Sequence, residues 1–182
     1  MDDGSLEKRI LDLEEQLRDL TARRDIYQAI CDYMHGQDRL LPQVQRGAFH
    51  DDAFVDCGPF AGEPDGYVNY AQTALAACAG SQHLIGQANI RIEGDIAFGE
   101  VYHIAWHRIE ENGEPKDLFV GARYIDRYEK RAGRWKIAKR RETMDWSRTD
   151  PPSDSFLRLP FMHLSVRGPV DFSFSDATPR KP

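Results

Sequence analysis

Six histidines, at positions 35, 50, 83, 103, 107 and 163, are the side chains of this chain best suited to moving protons at neutral pH, because free imidazole titrates near pH ~6.5. His83 stands out. It opens the stretch SQHLIGQANIRIEGD (residues 81–95) with apolar and amide residues directly after it. A neutral imidazole in that setting either abstracts a proton from carbon or simply caps a strand. His103 and His107 can share a strand face, but four residues along a strand separate them by ~13 Å, too far to hold one ion. No metal site is expected. The chain has no glycine-rich phosphate loop and no G-x-S-x-G elbow, so a site that works without a cofactor is the economical expectation. Cys31, Cys57 and Cys78 are odd in number and far apart, with no C-x-x-C pair; buried reduced thiols are expected rather than a disulfide frame.

The elements that must position such residues follow from periodicity. Leu6, Ile10, Leu13, Leu17 and Leu20 recur at steps of three and four and predict an amphipathic helix whose apolar face needs a partner. A second helix is expected over about Arg23–His35, with Gly36 as its stop. Pro42 starts a short helix. DAFVDCG reads as a short strand, and a helix from Pro64 closes at Gly80. From His83 the period shifts to two. Runs at 83–93, 96–110, 116–129 and 134–147, joined by tight turns at Gly94-Asp95, Asn112-Gly113 and Gly133, predict an antiparallel meander. Helices followed by long antiparallel strands give an α+β fold, a curved sheet wrapped round helices as a cone (α+β barrel) with an internal pocket.

The chain divides into an N-terminal amphipathic helix (1–21), a cone domain (22–148) and an extended C-terminal tail (149–182). The tail is too apolar for a free linker, and it is expected over the pocket or against another subunit. The 182 residues carry a formal net charge of −6. That argues against a nucleic-acid partner or an anionic membrane, since both ask for a basic stripe. The Arg and Lys run at 130–141 is read as solvated face. No apolar run approaches a membrane span, and the N-terminus lacks a signal peptide's apolar region, so a cytoplasmic protein is expected.

Four segments carry a resemblance to a known family: RRDIYQAICDYMHGQD, AFHDDAFVDCGPFAG, SQHLIGQANIRIEGDIAFGEVYHIAWHR and GARYIDRYEKRAGRWKIAKRRETMDW. Together they resemble the SnoaL-like branch of the nuclear-transport-factor-2-like superfamily over roughly residues 22–148. The resemblance implies the same cone. Scytalone dehydratases, hexachlorocyclohexane dehydrochlorinases and bile-acid dehydratases of this kind use a His-Asp pair inside the cone, and the matching positions here are His83 and Asp38. The bile-acid enzymes also place a tyrosine where this chain has Tyr33. The dehydrochlorinases have an arginine where this chain has Arg140. The further aspartate of the bile-acid enzymes is replaced by Ala105, so their substrate and proton path do not carry over.

The implied chemistry suits these residues. A carboxylate on one ring nitrogen fixes the tautomer and stabilises imidazolium, which makes His83 with Asp38 a general base and acid. Tyr33 is either a proton-donating phenol or a core tyrosine. It lies ~140° from Asp38 on a continuous helix, which matters only if Gly36 does not end that helix. Strand parity puts Arg140 on one face with Ala138, Glu142 and Met144. Glu142 is the expected partner of Arg140, as substrate clamp or as structural bridge. Val101, His103 and Ala105 share an inward face, and His103 is a candidate second acid. Met144 and Val120 complete the expected substrate contacts. His35, His50 and His107 take the surface or structural reading. The expected activity is that of a cofactor-independent lyase on a hydrophobic aromatic or polycyclic hydroxylated molecule. The reaction is dehydration or carbon-carbon cleavage with loss of formaldehyde, as in diarylpropane breakdown. A non-catalytic binding protein, an oxygenase small subunit and an isomerase are the alternatives. A homo-oligomer is expected, trimer before dimer.

Overall fold

The computed structural model describes residues 3–168 and 170–171. Its elements are α1 (Asp3–Asp38), α2 (Pro42–Gly47), β1 (Phe49–Asp56), β2 (Ala61–Gly62), α3 (Pro64–Ala76), β3 (Gly80–Glu93), β4 (Ile96–Glu111), β5 (Glu114–Arg131) and β6 (Arg134–Asp150), then a 3-10 turn at Ser155–Arg158. The sheet order is β2-β1-β6-β5-β4-β3, with β3 to β6 as the antiparallel meander and β1 parallel to β6. The α+β cone is therefore present. No helix among the described residues is long and apolar enough to cross a membrane.

Turn chemistry sets the meander. Asn112 and Gly113 both adopt positive φ, 55° and 80°, the mirror-image turn whose twist matches that of paired strands. Curvature comes from bulges. Pairing slips between Ile85 and Ala88 on β3, and at two places between β5 and β6. One of these leaves Ala138 unpaired, because Tyr128 faces Ile137 while Arg127 faces Lys139. Ile137, fully buried, takes the inward position. The expectation that Ala138 shares a face with Arg140 fails there, since a single extra residue reverses side-chain alternation.

The two expected N-terminal helices are one. Gly36 lies inside α1 and ends nothing. A Cβ built on it would stand 2.4 Å from the Gln45 backbone nitrogen, so glycine lets α1 and α2 touch backbone to backbone. Gln72 seals the junction, donating to Gly36 O at 3.0 Å and to Gln45 Oε1 at 2.7 Å. Gly36→Ala is expected to lower stability by about 1–3 kcal/mol through overpacking, despite alanine's better helix propensity. The shift of a urea unfolding midpoint at unchanged slope measures this; an unchanged or raised midpoint contradicts it.

Gly80 likewise does not close α3, which ends at Ala76; it opens β3 beneath the Trp106 ring. The core lies between the second half of α1, α3 and the concave side of the sheet, and includes Ile26, Ile30, Tyr33, Phe49, Tyr124 and Tyr128. The described part of the tail packs beside the C-terminal ends of α1 and α3, with Arg39 donating to Val166 O at 3.3 Å. Arg167 donates to Leu75 O and Cys78 O, both at 2.8 Å, satisfying carbonyls at the α3 C-terminus. Gly168 N donates to Arg39 O at 2.7 Å. Residues 169 and 172–182 of the expected tail lie outside the described residues.

Candidate active site

Asp38 is the last residue of α1, and its carboxylate meets the start of β3. Oδ1 accepts from His83 Nδ1 at 2.6 Å and from Ser81 Oγ at 3.2 Å, and Oδ2 accepts from the His83 backbone N–H at 2.9 Å. Three donors converge on one side chain. Burial opposes ionisation of Asp38, but the hydrogen bonds and charge of His83 with the Ser81 hydroxyl outweigh it, holding the carboxyl below its ordinary range. With Nδ1 donating to Asp38, Nε2 of His83 is the nitrogen left with a free lone pair.

His83 lines a cavity of about 190 Å³ between α3 and strands β3 to β6. The expected His103, Glu142, Met144 and Val120 line it too, together with Tyr67, Tyr124, Gln37, Cys57 and His107. Met144, Tyr70, Pro59 and Ala74 are exposed and form the rim. The His103 and His107 rings are centred 6.1 and 5.4 Å from that of His83. His107, read from sequence as a surface or structural residue, is a cavity residue. It continues the inward parity of Val101, His103 and Ala105, which is the signal that could have found it.

Three polar atoms in the cavity wall, Gln37 Oε1, His103 Nδ1 and His107 Nδ1, are buried without a hydrogen-bond partner. Such atoms are costly unless a ligand or water meets them. Burial, with the nearby His83, lowers the pKa of His107 to about 4. The same burial lowers His103, partly offset by Glu142, whose Oε1 lies 3.3 Å from His103 Nε2. Both rings are therefore neutral at pH 7. His103 stacks on Tyr124 with 4.1 Å between ring centres.

Between pH 6.5 and about 4 the unfolded chain binds a proton at His107 that the folded chain refuses. Stability must then fall as pH drops through that window. His107→Phe is expected to flatten the decline of the melting temperature between pH 6.5 and 4.5, leaving the part due to His103. Equal slopes in the two proteins would refute this.

Two expected site residues are elsewhere. Arg140 does not line the cavity, and its partner is not Glu142. It donates from Nε and Nη2 to Asp126 at 2.8 and 2.7 Å, with both side chains fully buried. Its guanidinium carbon lies 4.1 Å from the Tyr33 ring centre and 3.8 Å from that of Tyr124. Burial opposes the Arg140 charge, but Asp126 and the facing rings hold it protonated. Tyr33, fully buried, turns to this stack because a continuous α1 points it away from Asp38. Its hydroxyl shares a short hydrogen bond with that of Tyr67. Tyr67 and Tyr124, not Tyr33, are the buried tyrosines that line the cavity. Burial raises the pKa of Tyr33, Tyr67 and Tyr124, so all three keep their protons.

Comparison with known proteins agrees with this architecture. No protein of curated function matches the chain. Among solved structures, a hexachlorocyclohexane dehydrochlorinase (LinA) type 2 superposes with a TM-score of 0.65 at 21% identity, over 83% of this chain and 99% of that one. The LinA-type3 dehydrochlorinase from Novosphingobium barchaimii LL02 gives 0.64 at 20% identity, over 84% and 97%. A candidate scytalone dehydratase from Novosphingobium aromaticivorans DSM 12444 gives 0.64 at 21% identity, over 75% and 95%. At these identities the likeness establishes the nuclear-transport-factor-2-like fold. The family profile of the SnoaL-like domain matches residues 18–141, about two thirds of the sequence, and the chain belongs to that family.

Proposed function

We propose that this protein is a lyase that removes water from a hydroxylated aromatic compound by acid-base catalysis at His83. One observation carries the reading: Asp38 holds His83 by both Nδ1 and backbone N–H, leaving Nε2 for a substrate in a largely apolar cavity. That is the arrangement a carbon acid requires. His83 Nε2 takes the proton from carbon, Asp38 stabilises the imidazolium, and the C–O bond breaks as the double bond forms. The same imidazolium returns its proton to the departing oxygen, so water leaves and His83 is restored. Tyr67, kept protonated by burial, donates to that oxygen. Gln37 and His107 meet further polar groups of the substrate.

Cleavage with loss of formaldehyde uses the same groups. A para-phenolic O–H loses its proton as the benzylic hydroxyl is protonated and leaves as water, giving a quinone methide. The hydroxymethyl O–H then loses its proton to His83. The carbon-carbon bond breaks to release formaldehyde as the ring regains its phenolate, which takes that proton back from His83. The cavity volume of about 190 Å³ is below the ~300–1,000 Å³ usual for ligand pockets. One ring fits within, and the rest of a larger substrate must lie along the rim at Tyr70 and Met144. Single-ring and two-ring benzylic alcohols, diarylpropane-1,3-diols among them, test the reading, with water loss followed by ultraviolet absorbance and formaldehyde by trapping. Turnover of one class that disappears in His83→Ala supports it. Binding without turnover across the panel would favour a ligand-binding protein instead.

A further inference from the structure

We infer that the N-terminal half of α1 is a dimerisation element, forming a parallel two-stranded coiled coil with a second copy of this chain. Leu6, Ile10, Leu13, Leu17 and Leu20 occupy alternating d and a positions of an unbroken heptad pattern. All five are solvent-exposed, at 48–65%. At 100° per residue their stripe centres ~170° round the helix from the later residues Ile26, Ala29, Ile30 and Tyr33, which are buried in the chain's own core. The domain therefore sits on the opposite side of α1 and cannot cover the stripe. Isolated apolar side chains at a surface are ordinary, but a continuous stripe with coiled-coil spacing on a protruding helix is not.

Flanking charges select the partner and its direction. Arg9 is at a g position and Glu14 at the following e position. In a parallel pair Arg9 of each helix meets Glu14 of the other, two attractive contacts per dimer. An antiparallel pair that keeps the whole stripe in contact would instead set Glu14 against Glu14 and Arg9 against Arg23, with Glu7 facing Thr21. Ile10 at an a position, with leucine at every d position from Leu6 to Leu20, favours two strands over three. Arg23 fixes the base of the projecting segment: it bonds Asp19 and donates to Ile90 O at 2.8 Å, tying α1 to β3 where the heptads end.

The test uses the full chain in sedimentation velocity over a roughly hundredfold concentration range. The wild type is expected to show a monomer-dimer equilibrium, and Leu13→Glu with Leu17→Glu is expected to be monomeric throughout with unchanged circular dichroism. Charge reversal keeps the test decisive should the double glutamate variant misfold. Arg9→Glu alone and Glu14→Arg alone should each weaken the dimer by about tenfold, and the two together should restore it. A monomeric wild type overturns the inference. So does a dimer indifferent to Leu13 and Leu17, which would place the contact elsewhere, for instance on the exposed sheet face around Leu84, Ile104 and Trp146. Failure of the double reversal to restore association excludes the parallel register.

Discussion

Replacing His83 with alanine is expected to lower turnover by about a hundredfold to ten-thousandfold on any substrate the protein eliminates, the range for loss of a positioned general base. Binding should change little, because the ring is one contact among many in the cavity wall. Added imidazole should restore part of the rate, since deletion leaves a vacancy of the right shape next to Asp38. Asp38→Asn should be nearly as damaging for a reason visible in the hydrogen bonds. The carboxylate accepts from three donors, His83 N, His83 Nδ1 and Ser81 Oγ, and an amide must turn its own N–H₂ toward at least one of them. Either the His83 backbone contact or the ring tautomer is lost. Steady-state kinetics decide the matter: variants that retain turnover within about twofold would remove His83 and Asp38 from the chemistry and leave them a strand cap.

Asp126→Ala is expected to be the most destabilising single change away from the cavity, costing about 3–5 kcal/mol out of the ~5–15 kcal/mol typical of a domain. The cause is the arginine left behind. Arg140 is fully buried, and Nη1 already lacks a partner. Asp126 is its counter-ion through two hydrogen bonds and also accepts from the Tyr128 hydroxyl at 2.6 Å. Without it a cation stays between the Tyr33 and Tyr124 rings with no compensating charge. Replacing both partners, Asp126→Leu with Arg140→Met, should recover most of the loss, because no charge is then stranded. Guanidinium denaturation of the three proteins makes the comparison. A cost below about 1 kcal/mol for Asp126→Ala would mean that Arg140 finds water or another partner, since that is the range of exposed pairs.

The two predictions divide the interior. Asp38 and His83 meet where α1 ends and β3 begins, at the cavity. Arg140 and Asp126 pair on neighbouring strands further inside, behind Tyr33. The tyrosines connect the regions: Tyr33 faces Arg140 and bonds Tyr67, and Tyr67 lines the cavity. Loss of the buried pair should therefore also disturb the Tyr67 hydroxyl.

Periodicity alone established the helices before the sheet, the four meander strands and the Asn112-Gly113 turn, because side-chain alternation and positive φ are local properties. Inward parity marked Val101, His103 and Ala105, and the likeness of quoted segments to a known family brought His83 and Asp38 together. Their contact is not local. It needs the end of a 36-residue helix to reach the start of a strand 45 positions along the chain. Long-range packing also made the decisions that the sequence reading missed. Gly36 read as a helix stop is a contact point between two helices, since no local signal distinguishes the uses. That continuity turned Tyr33 inward and left Tyr67 and Tyr124 as the buried tyrosines of the cavity wall. One unpaired residue at Ala138 reset the alternation on β6, and a bulge is not visible in hydrophobic pattern. Arg140 took Asp126 from the neighbouring strand rather than Glu142 from its own because cross-strand register, not sequence distance, sets which charges meet in a sheet. The sequence determined which side chains could do chemistry; only the packed sheet decided which of them share a cavity.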